Sequence, residues 1–136
     1  MHPDFLAIGL QGPSPAGRRF CVEVCAHSFY GKSWCVANER DFGIFVRGLD
    51  LLACGERPTI RSRFAAPGPF DGLTTISAAP LTGTPVIEIE VRMDYPEGWL
   101  RTSFSIPRPP VRAFCTELRT AWASVVPQVV ELIGSV

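Results

Sequence analysis

Five cysteines, two histidines and a pair of alternate glutamates are the side chains of this chain whose types and spacing invite a chemical reading. Cys21, Cys25 and His27 fall on alternate positions of one extended run, which would place all three on one strand face. Residues four apart on a strand are separated by about 13 Å, too far to share one tetrahedral zinc ion, so no metal site is expected. Pairing His27 with Cys25 or Cys35 as base and thiolate is the other option, but no oxyanion loop or nucleophile elbow accompanies them. Thiols used as small hydrophobes account for the set, most plainly Cys115 in the apolar stripe of the last helix.

Glu88 and Glu90 would point the same way about 7 Å apart, within reach of paired-carboxylate hydrolysis. Any amphipathic strand has the same spacing, and Arg92 and Arg101 stand nearby to neutralise the carboxylates, with Arg101 expected across from Glu88 or Glu90. Arg61 and Arg63 extend the charged pattern into a possible anion-binding strip. Phosphate loops, dinucleotide fingerprints and zinc spacings are absent from the sequence, so no catalytic residue and no cofactor is expected. Among the large amphipathic residues, Trp99 beside the turn at 96–98 should be exposed, and Trp122 should be core. Phe70, on a proline- and glycine-rich loop at 65–72, either presents an aromatic contact or packs down. The candidate binding residues are therefore Glu88, Glu90, Arg92, Trp99, Arg101 and Phe70.

The elements that must position these residues are legible from periodicity. A strand over 5–10 should end in a loop at 11–17, where Gly12, Pro13, Pro15 and Gly17 interrupt regular structure. Phe20, Val22, Val24 and Ala26 alternate with Cys21, Glu23, Cys25 and His27 as in a half-buried strand, and Gly31 marks a turn into a partner strand over 33–37. Asn38 is a good N-cap for a helix over 39–54, whose stripe is Phe42, Phe45, Val46, Leu49, Leu52 and Ala53. Gly43 and Gly48 inside that helix cost about 1 kcal/mol each relative to alanine and suggest space beside it for a small ligand.

Four strand-like runs follow, over 59–64, 73–78, 85–93 and 99–106. Pro107, Pro109 and Pro110 open a second helix reaching about residue 125, with Val111, Phe114, Cys115, Leu118, Trp122 and Val125 on its apolar stripe. The tail beyond Pro127 reads as a further turn. The predicted fold class is α+β: a single antiparallel sheet of six to seven strands with two helices packed on one face, in the order βββ-α-ββββ-α.

Bulk properties narrow the function. The 136 residues suit one domain, and 46% hydrophobic against 19% charged residues argue for a folded chain. Thirteen basic and thirteen acidic residues leave a formal net charge of zero, without the cationic surplus that draws a protein to nucleic acid. The same neutrality weakens repulsion between copies, which permits a homodimer. The N-terminus lacks the pattern of an export signal, and no apolar run approaches the roughly 20 residues of a membrane span, so a cytoplasmic protein with reduced cysteines and no membrane partner is expected.

From Trp34 to Trp122 the order of motifs carries one resemblance. The strand SWCVA leads into F-x-x-F-V-x-x-L-x-x-L; the strand VIEIEVRM, a glycine turn and WLRTSFSI follow; and V-x-x-F-x-x-E-L-x-x-x-W closes the run. In order and spacing this resembles small bacterial immunity proteins of polymorphic, wall-associated toxin systems. The resemblance implies a non-enzymatic protein that binds a cognate toxin domain and blocks it by complementarity. Its pattern contains core positions only, so it assigns no binding residue. A small-ligand-binding or regulatory domain is the alternative, and a hydrolase using Glu88, Glu90 or a cysteine is the third reading.

Overall fold

The computed structural model describes residues 3–15, 17–27, 29–68 and 72–134, so Phe70 lies outside the described residues. The elements are β1 (Phe5–Ser14), β2 (Gly17–Ala26), β3 (Phe29–Ala37), α1 (Glu39–Ala53), β4 (Ile60–Ala65), β5 (Leu73–Pro80), β6 (Val86–Tyr95), β7 (Gly98–Pro107), α2 (Arg108–Ala123) and β8 (Gln128–Ile133). They build an α+β fold with one open antiparallel sheet of eight strands, ordered β7-β6-β5-β4-β3-β2-β1-β8.

The sheet has one strand more than the sequence pattern predicts, and that strand is the tail. Pro127 stops helical continuation, after which Val130 and Leu132 turn inward while Val129, Glu131 and Ile133 face out. This alternation pairs with β1, Val130 opposite Ile8 and Leu132 opposite Leu6. β1 itself continues through the region expected to be a loop. A register shift between Leu10 and Pro13 absorbs the interruption, and because β8 pairs no further than Leu10, Pro13 sits where β1 has become an edge strand. Gly31, expected to mark a turn, stands inside the β2–β3 ladder opposite Val24. Ala26 pairs with Phe29, His27 takes a left-handed φ of 53°, and its N–H donates to Asp4 Oδ1 at 3.2 Å.

Gly31 is a position of close approach within β3. A Cβ there would lie 3.1 Å from Leu100 Cδ1 and 3.2 Å from Met93 Sδ, because the sheet coils until β6 and β7 reach back toward β3. The inner face of this coil holds one apolar cluster from Leu6 to Leu132, with Ile87, Ile89, Val91 and Met93 along β6 and Leu6, Ile8 and Leu10 along β1. Phe20, Phe42, Phe45 and Phe64 meet edge-on or tilted at its centre, and Trp122 stacks on Phe42 with centroids 4.4 Å apart. Gly48 opens no ligand space: a Cβ there would lie 3.2 Å from Ile60 Cγ2, so the glycine lets α1 seat closely on β4.

Both helices are tied down by arginines. Asn38 Oδ1 accepts the Asp41 N–H at 2.8 Å at the start of α1, and Arg108 donates to the Leu52 carbonyl at 2.9 Å at its end. Asp50 bridges the helices to Arg112 at 3.7 Å and Arg119 at 3.1 Å. Arg18 is the deepest of these ties, with 3% of its surface exposed. Its guanidinium donates to the Gln11, Ala121 and Trp122 carbonyls and lies over the Trp122 ring, 5.4 Å from the centroid. A cation there complements the negative end of the α2 dipole and serves the Trp122 carbonyl, while the Ala121 carbonyl also accepts the Ser124 N–H at 3.2 Å.

Replacing Arg18 by Met strands those carbonyls. Urea unfolding should show a loss of about 3 kcal/mol for Arg18→Met, with Arg18→Lys intermediate because one ammonium cannot span the fork.

Candidate functional site

The site begins with a fault in the sheet. β3 pairs with β2 along its whole length, from Arg18 opposite Ala37 to Ala26 opposite Phe29, but with β4 at one position only, Val36 opposite Ala65. Continuing that register would set Pro67 opposite Trp34, where a strand needs an N–H donor and proline has none. Gly68, at φ 94°, turns the chain further from strand geometry. Leu73 and Thr74 of β5 and Asp94 and Tyr95 of β6 therefore face β3 across a gap.

That gap is a cleft of about 510 Å³, walled by Arg19, Lys32, Trp34, Pro67, Leu73 and Asp94. Its floor is polar. Ser33 and Thr74 join hydroxyls at 2.6 Å, and the Tyr95 hydroxyl donates to the Lys32 carbonyl at 3.0 Å. Burial pushes the Tyr95 hydroxyl above its ordinary pKa, so it stays a protonated donor. These bonds staple the halves of the sheet on the inner side and leave the outer side open.

Strand geometry shows what the open side offers. Lys32 accepts from Tyr95 on the side away from β2, and backbone direction alternates along a strand, so the odd-numbered residues of β3 bond to β2. Tyr30, Lys32 and Trp34 then direct their N–H and C=O groups into the cleft. Among the described residues, no other hydrogen bond reaches the backbone of Lys32 or Trp34 from the cleft side.

Charge at the mouth is unevenly committed. Arg92 closes on Asp94 at 3.0 Å, and the Tyr30 hydroxyl donates to Glu23 at 2.6 Å, a bond that pushes Tyr30 up to about 12. Arg19 and Lys32 have no ion pair within 4.0 Å among the described residues, and Lys32 leans over Trp34 at 5.9 Å. Among the described residues, Asp94 and Glu23 are thus engaged, while Glu97 beside Pro96 forms no ion pair.

Five of the six candidate residues read from the sequence lie among the described residues, on the same outer face as this cleft but not in its lining. Glu88, Glu90 and Arg92 alternate along the outer face of β6, with Trp99 and Arg101 beside them on β7. Arg101 stands opposite Arg92 rather than opposite a glutamate, and it reaches Glu90 diagonally at 4.0 Å. Trp99 is exposed as expected and lies under the Arg92 guanidinium at 4.5 Å. The row Leu73, Asp94, Trp99 links this group to the cleft. Glu88 and Glu90 border a separate, shallower depression of about 370 Å³ with Arg61 and Ser77. Glu88 is exposed, without the apolar enclosure that makes a carboxyl a general acid. Sequence reasoning passed over Arg19, Lys32 and Tyr95, because their relation depends on a missing strand pairing that no local pattern encodes.

No family model, curated protein or solved structure matches the chain. Functional reading therefore rests on this geometry.

Three of the thiols are poor nucleophiles, because they are buried. Burial is the main cause raising Cys21, Cys35 and Cys115, the last from 9.0 to about 12. Cys21 and Cys25 share the outer face of β2 as expected, but His27 leaves it in the left-handed turn. Among the described residues, no group of three or more His, Cys, Asp or Glu side chains could hold a metal ion.

The raised thiol has a consequence for alkaline stability. Between pH 9.0 and about 12 the unfolded chain loses the Cys115 proton while the folded chain keeps it. This contribution is complete below pH 9 and falls as pH rises, by about 1.4 kcal/mol per unit. Urea titrations at pH 8.5 and 10.5 should show the decline, and Cys115→Ala should flatten it.

Proposed function

We propose that this chain is a non-enzymatic domain that binds another protein through the outer face of its sheet, centred on the cleft between β3 and the β5-β6 pair. The observation carrying this reading is the set of exposed aromatic side chains on that face: Trp34 in the cleft wall is 43% exposed, Tyr30 on the same strand 55% and Trp99 on β7 60%. Exposed tryptophan and tyrosine beside arginine is the composition of interface hot spots, and these residues serve no packing role in the core.

The specific form we put forward is toxin immunity. The chain would act in the cytoplasm, covering the active site or another essential surface of a cognate bacterial toxin domain. The motif order between Trp34 and Trp122 supports this reading, as does an outer face bearing opposed charges that can set partner choice. The absence of any helix long and apolar enough to cross a membrane agrees with it among the described residues. Raised thiols and an exposed Glu88 weigh against nucleophilic or acid catalysis. The second reading is a small-ligand domain, favoured by a cleft volume of about 510 Å³, in the range that small molecules occupy.

The experiment is co-expression with C-terminal toxin domains from the same genome, followed by titration calorimetry on any pair that restores growth. Trp34→Ala and Trp99→Ala should each weaken a true complex about tenfold or more. Glu88→Lys with Glu90→Lys should weaken it too, and unchanged affinity would remove that end of the face. Rescue by no toxin domain, together with melting shifts from small ligands, would transfer the reading to the ligand-binding alternative.

A further inference from the structure

Going beyond the protein-binding reading and independently of it, we propose that the mouth of the cleft binds a small planar molecule carrying an acidic group at each end. The order of the lining residues sets this class. Arg19 and Lys32 are the cations of the lining, and both stand on the outer face with Trp34. Lys32 pairs with Glu23, four residues along β2 from Arg19, so the two cations are rooted about 13 Å apart along the strands. Trp34 pairs with Cys21, which sets the indole at the midpoint, and Lys32 Nζ leans to within 5.9 Å of its ring centroid. Among the described residues neither cation has an ion pair. Of the acids around them, Asp94 in the lining is held by Arg92, Glu23 accepts from the Tyr30 hydroxyl, and Glu97 follows Pro96 outside the lining.

The walls suit a ring rather than a chain. Pro67 and Leu73 stand across the opening from Trp34, so a flat apolar body is contacted by an indole on one side and aliphatic groups on the other. A ring makes no backbone hydrogen bond, and the Ser33–Thr74 and Tyr95–Lys32 bonds stay intact beneath it. The volume of about 510 Å³ suits a molecule of a few rings. Acidic groups at its ends pair with the planar fork of Arg19 and the point charge of Lys32. Because two long side chains can lean inward over the indole, the ligand's acids need a span of only roughly 10 Å.

The test is an NMR titration of the full chain, following the tryptophan indole N–H signals, with biphenyl bearing a carboxylate at each para end, its monoacid and its neutral diamide. The diacid should shift the Trp34 signal with a Kd below about 1 mM, the monoacid should bind about fivefold more weakly, and the diamide more weakly still. Arg19→Gln and Lys32→Gln should each weaken the diacid about fivefold and leave the diamide unchanged, whereas Trp34→Ala should weaken all three. These residues are exposed, and equal melting temperatures would show that the variants are folded. Equal affinity for acid and amide, indifference to Arg19→Gln and Lys32→Gln, shifts centred on Trp99 or Trp122, or no shift at about 5 mM diacid would overturn the proposal. Those outcomes would leave the protein-binding reading standing. A diacid that binds as expected beside toxin domains that never bind would sink the toxin reading and not this one.

Discussion

Between β3 and β4 the eight strands are joined by one pairing, Val36 opposite Ala65, and a sheet joined so sparsely must be held across that line by something other than its backbone ladder. Side chains do this on the inner face. Phe20 of β2 meets Phe64 of β4 and Phe42 of α1, so aromatic burial spans the fault where hydrogen bonds do not. Tyr95 and the Ser33–Thr74 pair add polar staples nearer the surface. Because the halves are fastened from within, the outer side of the fault can stay open without loosening the fold.

The helices make that division possible, and arginine holds them in place. Arg18 of β2 collects the last carbonyls of α2, and α1 is anchored through Arg108 at the Leu52 carbonyl and through Asp50. A buried arginine bonded mainly to carbonyls is costly to desolvate, and desolvation pulls its pKa below the ordinary guanidinium value. It stays charged because several carbonyls of a helix terminus together act as its counter-charge. The return on that cost is positional. Trp122 stacks under the same guanidinium and on Phe42, so the end of α2, the centre of α1 and the middle of the sheet are fixed to one another.

Periodicity made most of this fold legible. The stripe from Phe42 to Ala53, the cap at Asn38, the alternation along β6 and the prolines opening α2 each express a local preference that tertiary packing reinforced. What was illegible had non-local causes. β8 is a six-residue run whose strand character depends on the waiting edge of β1, and its apolar pattern alone reads equally well as a frayed helix. β1 passes through Gly12 and Pro13 by a bulge that only its pairing with β2 defines. The exposed Trp99 and the shared face of Glu88, Glu90, Arg92 and Arg101 followed from strand alternation. The cleft did not, since it is made by a pairing that fails between segments some thirty positions apart.

Open strand edges are hazards, and those of β8, β7 and β3 are managed differently. β8 is short, with Glu131 midway along its outer side, so two copies paired about that residue would oppose like charges. β7 carries Arg101 along its outer face and ends at Pro107, which cannot extend a ladder. The free stretch of β3 is recessed between Pro67 and Tyr95, which shields it from another flat sheet. Tyr95 caps the Lys32 carbonyl and Pro67 stands beside Trp34, so a second flat sheet cannot reach the backbone groups that β4 leaves unpaired there.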